Sequence, residues 1–556
     1  MSQTSSRRIN DTIQEISRLL ADEGYPDLPV DKDPPIGDFA IICFPAAKKL
    51  KKKPHDIAID VSKFIEQVKL VKSTSTENGY CNVDIDWDEI SIDFLSELLS
   101  DSYGRGETKP EKILVEHTSA NPTGPFHMGR ARNPIIGDSI AKLLSYCGHD
   151  VRTEYYVNDT GRQAATLAYG LENFKADDET KIDHSLVECY RKASEELKND
   201  ESIRKLIYKK MELIESGDLE ALNQVKEAAK VMLTGMKISL QELGAEAENY
   251  FHESDLIASG KVDIVIDELK TSKLSREENG AHYLDLHEEN IAGRNQKFFF
   301  TRENGLSLYT TRDIAYHVEK FKDYDRAVNI LGEDHKLQSK LLSIALREMN
   351  APAPEALFYS FVNLPGGKMS TRAGRVVYLD DIMHQITELA KEKLSDSEVD
   401  VNALAKQIGI GALRYNILKV QAEKGFTFNI DEALNLQGDS APFVMYSHAR
   451  TCAILRNYNK ELPTYALKED LKESEIRLLR TLSKWPKVVE RVAQNLAIHH
   501  IPNYAHKLAS DFNQFYRDCT VIGSINETFR INLVNGCKKI LKESLSILGI
   551  EAPERM

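Results

Sequence analysis

From about residue 110 to residue 385, short apolar runs of strand-forming residues alternate with stretches whose apolar positions recur at helical spacing. Alternation of that kind is the pattern of a parallel sheet whose strands are joined by crossover helices. It is interrupted between about 170 and 275, where charged helical sequence such as ESIRKLIYKKMELIESGD dominates, so a helical insertion is expected there rather than a further strand–helix unit. After it, QKFFFTRENGLSLYTTRD reads as a hairpin turning at Asn304-Gly305. Residues 1–105 mix a helix, the segment GDFAIICFPAA and the alternating YCNVDIDW, and end in the loose stretch DSYGRGETKPEK. Beyond about 390, LAKQIGIGALRYNILKVQ and INLVNGCKKILKESLSILGI carry apolar helical stripes. The expected fold class is therefore α/β: a Rossmann-type parallel-sheet domain (106–385) with a helical insertion, an α+β N-terminal domain (1–105) and an all-α C-terminal bundle (386–556).

Composition bounds the function. The chain of 556 residues has no apolar run near the roughly 18 residues of a membrane span. The N-terminal MSQTSSRRINDTIQEISRLL is amphipathic and lacks a signal-peptide core, so cytoplasm is the expected compartment. The seven cysteines form no C-x-x-C pair, and neither a disulfide framework nor a structural zinc site is expected. A net charge of −14 argues against a general nucleic-acid coat. It says little about a local RNA contact, because steering depends on patches. AAKKLKKKPHD is such a patch, with Lys51, Lys52 and Lys53 following Lys48 and Lys49; a solvated helix face is the alternative.

The segment SANPTGPFHMGRARNPIIGD, after the apolar run KILVEH and before Ile135, Ile136, Ile140, Leu143 and Leu144, reads as strand, loop, helix. The mouth of such a helix offers unpaired N–H groups to a phosphate. Gly129 would let a flat base or phosphate approach the backbone, and His127 and Arg130 would supply side-chain donors. On these residues alone, an N-capping loop with a surface histidine remains open. Much later comes LPGGKMSTRAGRVVYLDD, where Gly366 and Gly367 precede Lys368, Arg372 and Arg375. A glycine-rich cationic loop with a donor-rich helix mouth suits nucleotidyl transfer, in which charge develops on pyrophosphate.

In this order around an interrupted α/β sheet, HMGR and KMSTR resemble the HIGH and KMSKS signatures of class I aminoacyl-tRNA synthetases. Together with YTTRD, ALRYNILK, GDSAPFVMYSHAR and the terminal GIEAPERM, they make the chain similar to the arginyl-tRNA synthetase family over its whole length. Two departures stand out: Arg130 replaces the second histidine of the first signature, and Thr371-Arg372 replaces Lys-Ser in the second, with Lys368 retained.

The resemblance implies an ATP-dependent ligase that uses Mg2+ with its ATP, takes L-arginine and the tRNA for arginine as substrates, and works as a monomer. It implies catalytic roles for His127, Arg130 and Lys368, and an ATP site of Gly124, His127, Gly129, Arg130, Lys368, Met369 and Ser370. For arginine it implies Glu116, Ser119, Asn121, His127, Tyr309, Asp313 and His335, with Asp313 and Glu116 as the carboxylates that a planar guanidinium favours. By residue type alone Asp313 could be a helix-capping acid and Glu116 a buried salt-bridge partner. For tRNA it implies Lys51, Lys52 and Lys53 in the N-terminal domain and Phe443, Tyr446, Arg450 and Met556 in the bundle, where loop bases are read by stacking and edge hydrogen bonds. Aromatics at that spacing also build cores. Competing classes are a nucleotidyltransferase for a small metabolite, which the C-terminal bundle and the length disfavour, and a non-catalytic tRNA-binding paralogue, which Lys368 and Gly129 disfavour.

Overall fold

A four-stranded antiparallel sheet of order β1-β2-β4-β3 forms the N-terminal domain. In chain order its elements are α1 (Ser5–Asp22), β1 (Val30–Asp31), β2 (Phe39–Ile42), α2 (Phe44–Leu50), α3 (Pro54–Ile65), β3 (Val71–Glu77), β4 (Tyr80–Ile85) and α4 (Trp87–Leu99). Alternation in YCNVDIDW buries Cys81, Val83 and Ile85 against α3, and the Asp86 carboxylate caps α4 by accepting from the Asp88 N–H. The structure is a computed structural model that describes residues 5–32, 34–176, 181–289, 296–364, 377–394 and 400–556.

The central domain is built on a five-stranded parallel sheet of order β12-β11-β5-β6-β7. Its first half runs β5 (Lys112–Glu116), α5 (Arg132–Tyr146), β6 (Asp150–Val157), α6 (Gly161–Asn173), α7 (Ile182–Asn199), α8 (Glu201–Glu215), α9 (Leu219–Leu243), β7 (Asn249–His252), α10 (Glu253–Ala258) and α11 (Lys261–Lys270). Then follow β8 (Ser275–Glu278), β9 (Ala281–Asp285), β10 (Lys297–Phe299), α12 (Tyr309–Asp323), β11 (Arg326–Gly332), α13 (Lys336–Glu348), β12 (Glu355–Tyr359) and β13 (Val362–Asn363). Ile113, Leu114 and Val115 are fully buried at the centre of the sheet, as expected of a strand covered on both faces.

Two expectations need correction. The stretch 170–275 is not wholly an insertion: β7 is the fifth strand of the parallel sheet, and among the described residues α7, α8 and α9 are the elements inserted between α6 and β7. NYFH is too short to show a period beside long charged helices. The expected hairpin stays short: the Arg302 N–H donates to the Leu306 carbonyl at 2.8 Å, Thr301 and Ser307 form one bridge, and the Leu308 N–H reaches the Phe300 carbonyl at 3.4 Å. β10 instead pairs with β9, and the residues after Leu308 enter α12, whose Thr310 hydroxyl donates back to the Phe299 carbonyl.

The remainder is helical: α14 (Leu379–Lys393), α15 (Val401–Leu418), α16 (Ile430–Ala433), α17 (Ala441–Tyr458), α18 (Glu473–Ser483), α19 (Trp485–Asn495), α20 (His500–Asp518) and α21 (Glu527–Ile547). The exception is the two-residue strand β14 (Phe426–Thr427), which pairs with β13. Arg414 of α15 is fully buried at the junction of four elements. Its guanidinium donates to the carbonyls of Leu548 (2.8 Å), Leu243 (2.9 Å) and Gly244 (3.1 Å), and it pairs with Asp138 of α5. Gly549 is required beside it: its φ is +64°, and a Cβ there would lie 2.1 Å from the Arg414 guanidinium. The last residues lie along α17, where the His448 ring meets the Pro553 carbonyl at 2.9 Å and Arg456 donates to that of Glu554 at 2.9 Å.

Candidate active site

Ligands of an open parallel sheet bind outside the carboxyl ends of its strands. Here β5 ends in Glu116, and the chain then passes through Thr118 (φ +71°) and Ser119 (φ +36°), two consecutive non-glycine residues in left-handed backbone. For a β-branched threonine that is a strained conformation, costing about 1–3 kcal/mol. Asn133 at the start of α5 holds it, accepting from the Thr118 N–H at 2.5 Å while donating to the Ile330 carbonyl of β11 at 2.9 Å. The turn thereby aims Ser119 and Asn121 into a cavity of about 250 Å³ at the carboxyl ends of β5, β6 and β11.

The cavity wall brings together Ser119, Asn121, Arg130, Tyr309, Asp313 and His335 from four separate segments. Tyr309 and His335 stand at its exposed rim. Asp313, one turn into α12, is partly exposed; one carboxylate oxygen lies 3.4 Å from the Gln338 amide nitrogen, the other 3.3 Å from the His317 ring. The wall also holds residues that no motif announced: Tyr156 and Asn158 from the end of β6, Gln338 from α13, Tyr359 at the end of β12 and Phe361 just after it. Gln338 had the one readable signal, since it follows His335 by three residues and so shares its helix face.

Glu116 does not line that cavity. It is buried behind Ser119, with one oxygen 2.7 Å from the Lys320 ammonium and the other accepting from the Ser119 hydroxyl at 3.2 Å. The expected second carboxylate thus already has a cation of its own. A different carboxylate, Glu253, reaches the wall, but it is paired with Arg312 and accepts from Thr160 at 2.6 Å.

His127 and Gly129 begin the short 3-10 turn Met128–Arg130 ahead of α5. His127 is half-buried, its Nδ1 meets no partner among the described residues, and burial, followed by the charge of Arg130, lowers its pKa below the ordinary histidine value. It lies outside the cavity wall. Its backbone instead bridges antiparallel to Tyr378, with the Met128 N–H donating to the Val377 carbonyl at 3.1 Å and the Leu379 N–H to that of Phe126 at 2.7 Å. Gly124 is also away from the cavity: a Cβ there would meet the Val187 side chain of α7 at 2.7 Å, so this glycine serves close helix packing. Lys368, Met369 and Ser370 lie outside the described residues. Among the described residues Asp183, His184 and Asp380 have the types and closeness of a cation site, but the Lys181 ammonium is already 3.0 Å from Asp380 and 3.4 Å from Asp183.

In the helical region a second cavity, of about 530 Å³, is lined by Phe443, Tyr446 and Arg450 of α17 with Asn513 and Arg517 of α20. The Arg450 guanidinium lies 4.8 Å from the Tyr446 ring and 5.0 Å from that of Tyr516, and donates to Asn513 at 2.5 Å. Tyr446 and Tyr516 keep exposed faces. Met556 packs partly buried against the core. Lys51, Lys52 and Lys53 are exposed between α2 and α3, and Lys52 is engaged by Asp60 at 2.9 Å.

Residues 95–430 match the family described as tRNA synthetases class I (R), catalytic domain, residues 3–85 the arginyl tRNA synthetase N terminal domain, and residues 444–556 the DALR anticodon binding domain. The chain belongs to the arginyl-tRNA synthetase family. It is 37% identical to the arginine--tRNA ligase of Methanocaldococcus jannaschii, covering 99% of both chains, and 35% identical to that of Methanothermobacter thermautotrophicus, again over 99% of both. Among solved structures it resembles the Thermus thermophilus arginyl-tRNA synthetase (TM-score 0.81, 25% identity, 98% of this chain and 99% of that one). The Plasmodium falciparum enzyme shares the fold (TM-score 0.79, 20% identity, 99% of each chain). As a class I synthetase of this family, the protein attaches L-arginine to its tRNA at the expense of ATP, through an arginyl-adenylate, releasing pyrophosphate and AMP. No described helix is long and apolar enough to cross a membrane.

Proposed function

We propose that the cavity at the ends of β5, β6 and β11 is the arginine site of this ligase, with Asp313 as the carboxylate that takes the guanidinium. The observation that carries this reading is Asp313 itself, a partly exposed acid of the wall that no lysine or arginine among the described residues pairs; the wall's other unpaired acid, Asp334, stands out at the exposed rim beside His335. Ser119 and Asn121 take the polar head of the amino acid, and Tyr309 and His335 line its entry. Glu116 acts from behind, fixing Ser119 and Lys320.

The arginine carboxylate attacks the α-phosphorus of ATP, the bond to the bridging oxygen breaks, and pyrophosphate leaves. The 3′-terminal adenosine hydroxyl of the tRNA then attacks the activated carbonyl, and AMP leaves. His127, whose Nδ1 meets no partner among the described residues, and Arg130, exposed at the cavity, meet the triphosphate, joined by Lys368; Mg2+ arrives on the ATP as part of the substrate. Gly129, buried in the first signature, gives the nucleotide close approach, and Met369 and Ser370 of the second signature are further contacts for ATP. Gly124 contributes through packing. Phe443, Tyr446 and Arg450, with Tyr516, offer the stacking faces for anticodon bases, Met556 closes that end, and Lys51, Lys52 and Lys53 meet tRNA phosphates. The protein works as a cytoplasmic monomer. Aminoacylation of tRNA with labelled arginine tests the activity, and equilibrium arginine binding to Asp313→Asn tests the assignment of the pocket.

A further inference from the structure

Behind the cavity wall lies a buried chain of hydrogen bonds whose direction is fixed at one end. The Lys320 ammonium, fully buried, can only donate, and it faces Glu116 at 2.7 Å and the Asn329 side-chain oxygen at 3.0 Å. With its oxygen so engaged, the amide nitrogen of Asn329 faces the Nε2 of His317 at 2.8 Å. Lys320 is also 3.5 Å from that Nε2. Two donors aimed at one ring nitrogen make it an acceptor, so the ring proton sits on Nδ1. That nitrogen donates to the Asp313 backbone carbonyl at 2.8 Å, and the Asp313 carboxylate stands beside it at 3.3 Å. Gln338 approaches the other carboxylate oxygen at 3.4 Å from the far side.

We propose that His317 is a positioning residue for the amino-acid site: Lys320 and Asn329 set its tautomer, and its Nδ1–H orients the Asp313 carboxylate towards the cavity. The proposal rests on Asp313 being the guanidinium partner. It adds that the carboxylate is held in place before arginine arrives, so that binding loses less side-chain freedom. One element supplies both residues, four apart on α12, and the strand that supplies Asn329 is the one whose end forms the cavity floor.

Two substitutions separate positioning from general support. In His317→Asn the amide nitrogen can take the place of Nδ1, which keeps the donor to Asp313 and leaves the Asn329 amide without its acceptor. In His317→Gln an oxygen can take the place of Nε2, which satisfies Asn329 and Lys320 and withdraws the donor from Asp313. Arginine affinity should therefore be near wild type in His317→Asn and roughly 5- to 10-fold weaker in His317→Gln, the scale of one ordinary hydrogen bond. Thermal stability should follow the opposite order, because a buried amide is orphaned only in His317→Asn. ATP affinity serves as the folding control. In an Asp313→Asn background, His317→Gln should cost no further arginine affinity. The proposal is overturned if arginine affinity and melting temperature fall in the same order, or if the two substitutions add. Should His317→Gln fail to fold, His317→Asn decides alone: retained affinity with a lowered melting temperature supports the proposal, and affinity lost with stability overturns it. A failure of the underlying reading is distinct, since Asp313→Asn would then leave arginine affinity unchanged by itself.

Discussion

His127 and Tyr378 face each other across an antiparallel bridge, so the first signature and the residues that follow the second run side by side. If both signatures act on one triphosphate, His127→Ala and Lys368→Ala should each slow adenylate formation on the order of 10²-fold, as for one lost donor to transition-state charge. Arginine binding should stay near wild type in both. Single-turnover measurements also test the double variant, whose loss should fall short of the product of the two single losses, because groups acting as a unit are not additive. A wild-type rate in His127→Ala would return that side chain to loop packing.

Asp313→Asn keeps the shape of the acid and removes its charge. Losing one partner of a desolvated charge pair costs roughly 2–5 kcal/mol, so arginine affinity should fall about 30-fold or more. ATP and tRNA affinities should stay within a few fold. Canavanine, a weaker base, should bind the wild type less well than arginine does, and the variant should discriminate less between the two. Equilibrium binding of arginine, canavanine, ATP and tRNA decides the matter.

Glu116→Gln should behave differently from Asp313→Asn. It strands the buried Lys320 ammonium, and breaking a buried pair costs about 3–5 kcal/mol of stability. Denaturant unfolding should register that loss. An unchanged unfolding midpoint with lost arginine affinity would mean that Glu116 meets the substrate directly.

The lysine run should not act uniformly. Lys51 and Lys53 are exposed, whereas Lys52 is already engaged by Asp60 and the Tyr25 hydroxyl, its pKa raised chiefly by the hydrogen bond to Asp60. Replacing all three with Gln should weaken tRNA binding and flatten its dependence on salt, with the smallest share from Lys52. A slope of log affinity against log salt equal to wild type would make the run a solvated face.

Stability should fall on mild acidification. His117 is fully buried beneath α5, and burial holds its pKa down to about 4. Its unfolded value is near 6.5. Between those values the unfolded chain takes a proton that the fold refuses, so this residue costs nothing above pH 6.5 and its destabilisation grows down to about pH 4. The full difference is about 3 kcal/mol. Unfolding at pH 7, 5.5 and 4 should show the loss, and His117→Asn should remove most of this contribution.

The centre of the parallel sheet was legible because β5 is a contiguous apolar run, and KILVEH needs no partner to be recognised. β7 was not, since four residues carry no period and only the neighbouring β6 makes NYFH a strand. In the site, Ser119, Asn121, Tyr309 and Asp313 belong to local motifs and could be named from them. Tyr156 and Phe361 reach the same cavity from two further segments, and nothing in their own neighbourhoods announces it. Glu116 was readable as an acid in the right segment. Its partner, 204 residues away, decides that it faces inward, and no sequence spacing encodes that.

The Arg414 junction has a consequence for modularity. Its donors end on carbonyls that belong to the end of α9 and to the residue after α21, stretches more than 300 positions apart along the chain. A fragment stopped at residue 430 would keep the guanidinium and lose Leu548, baring part of a buried cation that the remaining chain cannot satisfy. The catalytic and anticodon-binding regions are therefore separable as family matches but not as pieces of matter: one side chain makes the end of the chain a structural component of α5, the helix that follows the first signature.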